Sequence, residues 1–396
     1  MDRRPEFLLP ELRGLQLLVE RILMQDEPFY PGLEGVIAGE TAISMVEGGL
    51  LYRGYRIEDL AARSTFPEVA LLLLSGELPG QEALADFQSI LAESMELPDP
   101  IVHLMAEIPL HVGAMDVLRT GISALAHFDP QPDDTGPEAD LSRATRLLAQ
   151  IPLLIATRQA QLRGEHRARP VPELSFAGNL LAMLTGEQPD EEAERALDLS
   201  LILYAEHEFN ASAFTARVVT STGSDLHSAI TAATGALKGP LHGGANEAAL
   251  DSLLSVGGSA NAEDWVRTRL ATGERIMGFG HRVYKLGDPR AEILEETCAA
   301  LAHTPEQDDL QQTATIIARL MRQEKGLFPN LDWPCARLYH YLGLEADVFT
   351  PLFVASRVAG WSAHVIEQAA NNRLIRPRSR YTGPSARKFV PLALRD

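Results

Sequence analysis

The sequence predicts an all-α protein, and three observations carry that prediction. Apolar residues recur at three-and-four spacing over most of the chain. Strand patterning is confined to one short stretch near the N-terminus. No alternation of strand and helix occurs of the kind that builds a doubly wound sheet. With 396 residues, the chain is long enough for one large core or two domains.

In chain order, residues 1–34 read as a peripheral segment. Ala42–Met45 and Leu50–Tyr55, flanking Glu47-Gly48-Gly49, read as one small hairpin. Helical spacing then marks Glu68–Leu74, Gln81–Ser94, Leu141–Leu162, Glu191–Glu206, Ser224–Leu237, Arg290–Ala302 and Asp309–Glu324. Asp129–Asp140, with three prolines and five acidic residues, reads as an exposed loop, and Gly257–Glu263 as another. Ala229, Ala232, Ala233, Gly235 and Ala236 let a second helix approach Ser224–Leu237 closely. Tight core packing and a subunit interface fit that pattern equally.

Charge narrows the function classes. There are 35 Lys and Arg against 54 Asp and Glu, a net charge of −19. That balance argues against nucleic acid or an anionic membrane surface as the main partner. The longest aliphatic run, Val69–Leu74, is far too short for a membrane span, and the N-terminus lacks the apolar stretch of a signal peptide. Two cysteines allow neither a disulfide framework nor a Cys-rich zinc site. A cytoplasmic protein is the expectation. Against this acidic background, Asn371–Lys388 holds Arg373, Arg376, Arg378, Arg380, Arg387 and Lys388 and no acid. Such a strip is expected to meet an anion, either a ligand or an acidic neighbour.

Chemistry-bearing motifs lie mainly in the second half. In Gly239-Pro240-Leu241-His242-Gly243-Gly244, the glycines and proline force a tight turn before a helix that runs to about Leu254. His242 is thereby placed near a helix N-terminus, where unpaired amides disfavour an imidazolium. A neutral imidazole there can donate to a carbonyl oxygen that is becoming an enolate. In Gly278-Phe279-Gly280-His281-Arg282-Val283-Tyr284-Lys285, the glycines permit close approach of a ligand. Asp288-Pro289 then starts a helix with Arg290 in its first turn, a poor place for a cation unless it faces an anion. Arg275, Arg282, Lys285 and Arg290 together read as an anion site. In Asn330-Leu331-Asp332-Trp333-Pro334, Asp332 sits on a short turn beside an aromatic residue, with a helix able to begin at Pro334. A carboxylate so placed is a candidate general base. Arg357 is a lone cation in an apolar helix and must find a partner or reach water. His207 lies between Glu206 and Glu208, but adjacent helical positions do not share a face, and no metal-ligand spacing occurs.

Taken together, Ala205–Asn210, Gly235–Ala248, Arg275–Ala291, Asn330–Asp332 and Val348–Arg378 resemble, in order, the citrate synthase family, which includes 2-methylcitrate synthases. Glu40–Ser44 and Tyr52–Tyr55 extend the resemblance, which covers the chain from about Gly35 onward. It implies a citrate synthase-like fold: a large helical domain (35–243 and 343–396) and a smaller one (244–342) that closes over the substrates. By motif position, His242, His281 and Asp332 correspond to the catalytic trio. His207, Arg290 and Arg357 correspond to oxaloacetate ligands, and Arg376 to an arginine supplied by the neighbouring subunit of a homodimer. Arg275, Ile276, Met277, Gly278, Phe279 and Gly280 correspond to the segment that cradles the adenine of coenzyme A, with Arg282 and Lys285 as phosphate contacts. The implied reaction condenses acetyl-CoA with oxaloacetate and hydrolyses the thioester, with no metal or redox cofactor. 2-Methylcitrate synthesis from propionyl-CoA is the near alternative. A non-catalytic CoA-binding scaffold is the remote one, against which all three acid–base side chains stand. Trp333-Pro334 departs from the family pattern and is expected to reshape the acyl pocket. The N-terminal β domain of NADH-regulated hexameric members has no counterpart here, which implies the dimeric type.

Overall fold

The computed structural model describes residues 28–132, 134, 136–165 and 169–395. The peripheral segment expected over residues 1–34 falls largely outside them. The chain divides at Thr41. The described part of the first unit forms a single 3₁₀ turn, Pro31–Leu33. The second unit, Ala42–Asp396, is the all-α body, with sixteen α-helices and very little strand among the described residues.

That little strand is richer than one hairpin. Ser44–Met45 (β1), Leu51–Tyr52 (β2) and Tyr55–Arg56 (β3) form an antiparallel meander, with Ser44 opposite Tyr52 and Tyr52 opposite Tyr55. The second turn is Arg53-Gly54, both at positive φ (50° and 88°), as a two-residue hairpin requires. Arginine is a poor residue there. It is held because its guanidinium donates to the Leu73 carbonyl from Nε (3.1 Å) and Nη2 (2.7 Å).

The first helices are Ile57–Arg63 (α1), Phe66–Ser75 (α2), Gln81–Glu93 (α3), Asp99–Glu107 (α4) and Ala114–Leu125 (α5). A Thr65/Glu68 capping box starts α2, and Gly76 at φ 93° ends it. Pro137–Arg163 (α6) is buried on all sides along most of its length, as is Phe349–Ala370 (α16). Buried on every face, these two helices are central, and they pack on each other. Phe176–Thr185 (α7), Glu191–Tyr204 (α8), Ala211–Ser221 (α9) and Leu226–Leu237 (α10) complete the first part of the body. Ala229 and Ala233 of α10 are fully buried, as are Ala213 and Ala216 of α9, on which α10 packs. Ala232, Gly235 and Ala236 stay half exposed on the other face, so α10 uses its small residues in the core and still offers some at the surface.

Ala245–Leu254 (α11), Ala262–Thr272 (α12), Pro289–Ala300 (α13), Pro305–Lys325 (α14) and Asp332–Tyr341 (α15) follow and pack extensively on one another. The Asp129–Asp140 stretch is exposed loop at 130–132 and 134; it is tied down at its start, where the buried Asp129 carboxylate accepts from Arg143 Nε and from Arg146 Nη2 (2.6 Å), and it ends at Pro137, which opens α6. One expectation needs correction. The helix expected at Pro334 begins at Asp332 instead. Proline at its third position forfeits no intrahelical bond, since the first N–H groups of a helix have no partner within it.

Candidate active site

A cavity of about 1010 Å³ lies in the helical body. His207, His242, His281, Arg290, Asp332 and Arg357 all line it, as do Arg275–Gly280 and Arg282. These residues come from separate parts of the chain, and each is fixed by local backbone chemistry.

His242 is set by the turn after α10. Its amide donates to Gly239 O (2.8 Å), and Gly243 N donates to Leu237 O (2.9 Å). A Cβ at Gly243 would lie 2.5 Å from that same carbonyl oxygen, so only glycine closes the turn. The imidazole Nε2 lies 2.8 Å from Ser212 Oγ, which also accepts from Trp361 Nε1 (3.0 Å) and lies 2.7 Å from Asn210 Oδ1. Asn210 Oδ1 already accepts the amides of Ser212 (3.1 Å) and Ala213 (2.9 Å). Ser212 Oγ has a single proton for Asn210 Oδ1 and His242 Nε2; Nδ1 is the ring nitrogen left free of Ser212, and it carries the ring proton when the hydroxyl turns to Nε2. Burial, with Arg357 adding repulsion, pushes His242 down to about 4.

His281 has a defined tautomer. Its Nδ1 accepts the amides of Val283 (3.0 Å) and Tyr284 (3.1 Å), so the proton of the neutral ring is on Nε2. Burial and then Arg290 push it down to about 4. His207 stands edge-on to His281, with ring centres 5.1 Å apart, and its Nε2 lies 3.2 Å from the Tyr284 hydroxyl. Burial first, then Arg290, hold His207 well below the usual imidazole range.

Asp332 opens α15. Its Oδ1 accepts from the Tyr204 hydroxyl at 2.7 Å, and its amide donates to Asn330 Oδ1 at 3.1 Å. Burial raises the carboxyl to about 6, against the opposing pull of the Tyr204 bond, Arg290 and Arg357. Asn330 also donates from Nδ2 to Gly280 O (3.1 Å) and from its amide to Gly278 O (2.9 Å), while Gly280 N donates to Phe328 O (2.8 Å). Segments 278–280 and 328–330 are thus clasped together, and the loops leading to His281 and Asp332 share one support.

Two guanidiniums are buried here. Arg290, in the first turn of α13, is gripped by its own N-cap: Nε and Nη2 donate to Asp288 Oδ1 (3.0 Å) and Oδ2 (2.8 Å). The anion expected beside it is Asp288, which sequence reasoning treated only as a cap. Arg357 donates from Nε to Tyr204 O and lies over the Phe353 ring at 4.6 Å. Burial lowers it to about 10, with Glu206 working the other way. Glu206 is fully buried, accepts from Ser44 Oγ (2.9 Å) and lies 3.0 Å from His364 Nε2.

The backbone of Arg275–Gly280 forms one wall of the cavity. Gly278, at φ 85°, backs onto Trp333, and a Cβ there would lie 2.8 Å from the indole. Trp333 is buried behind this loop and does not itself line the cavity; it backs Phe279, which does, with ring centres 4.5 Å apart. Lys285 lies outside the cavity: its amine contacts His281 O at 3.4 Å and borders a separate pocket of about 160 Å³. Arg376 is exposed on the extended C-terminal segment and does not line this chain's cavity. Among the described residues, no group of His, Cys, Asp and Glu is arranged to hold a metal ion, and no helix is long and apolar enough to cross a membrane. Sequence reasoning did not single out Tyr204, Ser212, Asn330 or Phe353. Each takes its part through contacts made across the fold, and only the neighbourhood of His207 and Asp332 in the sequence hinted at three of them.

Fold and cavity define an all-helical enzyme with acid–base side chains and buried arginines around one cleft. Comparison with known proteins narrows the class. The family model for the citrate synthase C-terminal domain matches residues 32–378. The chain is 44% identical over 363 residues to citrate synthase 2 of Bacillus subtilis, covering 91% of this chain and 98% of that one. It is also 44% identical over 359 residues to a 2-methylcitrate synthase of Mycobacterium tuberculosis, covering 90% and 91%. Citrate synthase of Thermoplasma acidophilum, solved with carboxymethyl coenzyme A and oxaloacetate, superimposes with a TM-score of 0.88 at 33% identity, covering 93% of this chain and all of that one. The chain belongs to the citrate synthase family and is a transferase of that kind.

Proposed function

We propose that the protein joins the methyl carbon of acetyl-CoA to the ketone carbon of oxaloacetate and hydrolyses the resulting thioester to citrate and free coenzyme A. The observation that carries this reading is one cavity in which a carboxyl shifted upward meets two imidazoles shifted downward and two buried guanidiniums. A thioester methyl is a weak carbon acid. It loses a proton to a carboxylate only if its carbonyl oxygen is stabilised at the same moment. Near neutral pH, Asp332 at about 6 is ionised yet basic, and His242 at about 4 is neutral. Asp332 takes the methyl proton while His242 donates from Nδ1 to the forming enol oxygen. The enol carbon then attacks the ketone, whose oxygen accepts the Nε2–H of His281. Arg290, Arg357 and His207 hold the dicarboxylate, guanidiniums matching carboxylates in shape as well as charge.

In this reading, the backbone of Arg275–Gly280 cradles the adenine, and Arg282 and Lys285 meet the phosphates. Residues 244–342, whose helices pack mainly on one another, move as the smaller domain and close over the substrates, keeping water from the enol until hydrolysis. Arg376, exposed in its own chain, is donated to the cleft of a second copy in a homodimer.

A second reading, condensation of propionyl-CoA to 2-methylcitrate, is supported by relatives of both names at the same identity. Thiol release with oxaloacetate and each acyl-CoA separates the two. The expected result is a higher kcat/KM for acetyl-CoA, with propionyl-CoA still active, since one methylene is worth ~1–3 kcal/mol in such a pocket. A preference for propionyl-CoA overturns the acyl assignment. Coenzyme A binding with no oxaloacetate-dependent thiol release overturns the catalytic reading as a whole.

A further inference from the structure

We infer that Tyr204 is a positioning residue for the proton transfer: its hydroxyl holds Oδ1 of Asp332 and leaves Oδ2 as the atom that receives the substrate proton. The inference rests on the reading of Asp332 as the base.

Tyr204 ends α8 and is buried, at 2% exposure. Its ring lies against Phe353, with centres 4.3 Å apart and planes at 52°, and phenylalanine would pack there equally well. The hydroxyl is what needs explaining, because a buried O–H without a partner is costly. It donates to Asp332 Oδ1 at 2.7 Å, and among the described residues Oδ2 receives no hydrogen bond. A carboxylate held at one oxygen has its plane set and its other oxygen presented. The phenol stays a donor across the working range, since burial and the Asp332 charge push it well above its ordinary value.

Other groups also face Asp332. Arg290 and Asp288 approach from the start of α13 and Arg357 from α16, while Cys335 and Tyr339 of α15 itself surround Tyr204. Arg290 and Arg357 favour the carboxylate and Asp288 opposes it, but Tyr204 alone of these three elements' groups and its own reaches the carboxylate with a hydrogen bond. Tyr204 is also tied to the opposite side of the cleft, because its carbonyl accepts from Arg357 Nε.

The test is the pH profile of kcat/KM for acetyl-CoA at saturating oxaloacetate, in the full chain carrying Tyr204→Phe. This profile reports the base of the enzyme–oxaloacetate complex before acetyl-CoA binds. Removing a donor to the carboxylate raises its pKa, so the acid limb is expected to move alkaline by about one pH unit. The plateau kcat should fall about tenfold for a misaligned base, while KM for oxaloacetate changes little because the backbone carbonyl at 204 remains. A 3-fluorotyrosine at position 204 keeps the shape, donates more strongly and should move the limb the other way. It decides the matter if Tyr204→Phe does not fold. A tyrosine with only a structural role would lower kcat and leave the limb in place, and that result, or an acidward shift in Tyr204→Phe, overturns the inference. Asp332→Asn keeps the two questions apart. If it still turns over, the base assignment falls. If it is inactive and the Tyr204→Phe limb does not move, the positioning role alone falls.

Discussion

The carboxyl of Asp332 is costly to ionise where it sits. Its folded pKa lies above the ordinary value, so the buried acid is neutral at low pH, and the folded state loses stability as the pH rises through about 6 and the group ionises in place. A displacement from 3.8 to about 6 corresponds to about 3 kcal/mol at full ionisation. Asp332→Asn, which keeps the shape and can still accept from Tyr204, is therefore expected to abolish turnover, retain oxaloacetate binding and raise stability at pH 8 by about 1–3 kcal/mol. Thermal melts and calorimetry of oxaloacetate binding check this, and a lower Tm in the variant would reject the argument. At this scale, sequence motifs were informative wherever glycine or proline pinned a side chain locally. His242, His281, Asp332 and Arg290 all stand in such punctuated stretches. The Ser212–His242 contact spans 30 residues and the Tyr204–Asp332 contact 128. Neither pairing leaves a local trace, because a buried hydrogen bond is chosen by the packing of whole helices.

Elements show the same division. Helix interiors were legible from their apolar spacing, with α6, α8, α10 and α14 all anticipated; some ends were legible too, such as the start of α8 at Glu191 and the end of α10 at Leu237, and others were not. Expected helix starts at Leu141 and Asp309 ignored Pro137 and Pro305, each of which opens its helix from the first position. The third strand was missed because its turn uses Arg53 at a place where Asn or Gly is the usual signal, and the compensating bonds to Leu73 O lie 20 residues away. The loop 278–281 permits a sharp prediction. Gly278→Ala forces a Cβ to within 2.8 Å of Trp333 and strains a residue at φ 85°. A loss of about 2–3 kcal/mol is expected, with kcat falling more than KM for oxaloacetate, because the loop carries His281. Urea denaturation and steady-state kinetics read both effects, and an unperturbed enzyme would mean that the loop does not hold His281 in place.

At the scale of the molecule, a chain of net charge −19 places several cations around one cleft and six in a C-terminal strip without acids. Tail arginines that are exposed in their own chain make sense if the working unit contains two copies. Arg376→Ala is expected to raise KM for oxaloacetate at least tenfold, the cost of losing a charge-assisted contact. Mixing it with Asp332→Asn and allowing subunits to exchange should restore up to about a quarter of normal activity, since half the dimers are mixed and each has one complete site. No recovery would place that arginine's partner within its own chain. The clasp formed by Asn330 has a broader consequence. Because one amide side chain grips the segments leading to both His281 and Asp332, the side chain proposed to activate the electrophile and the one proposed to make the nucleophile share a single support, and a change that shifts one is expected to shift the other.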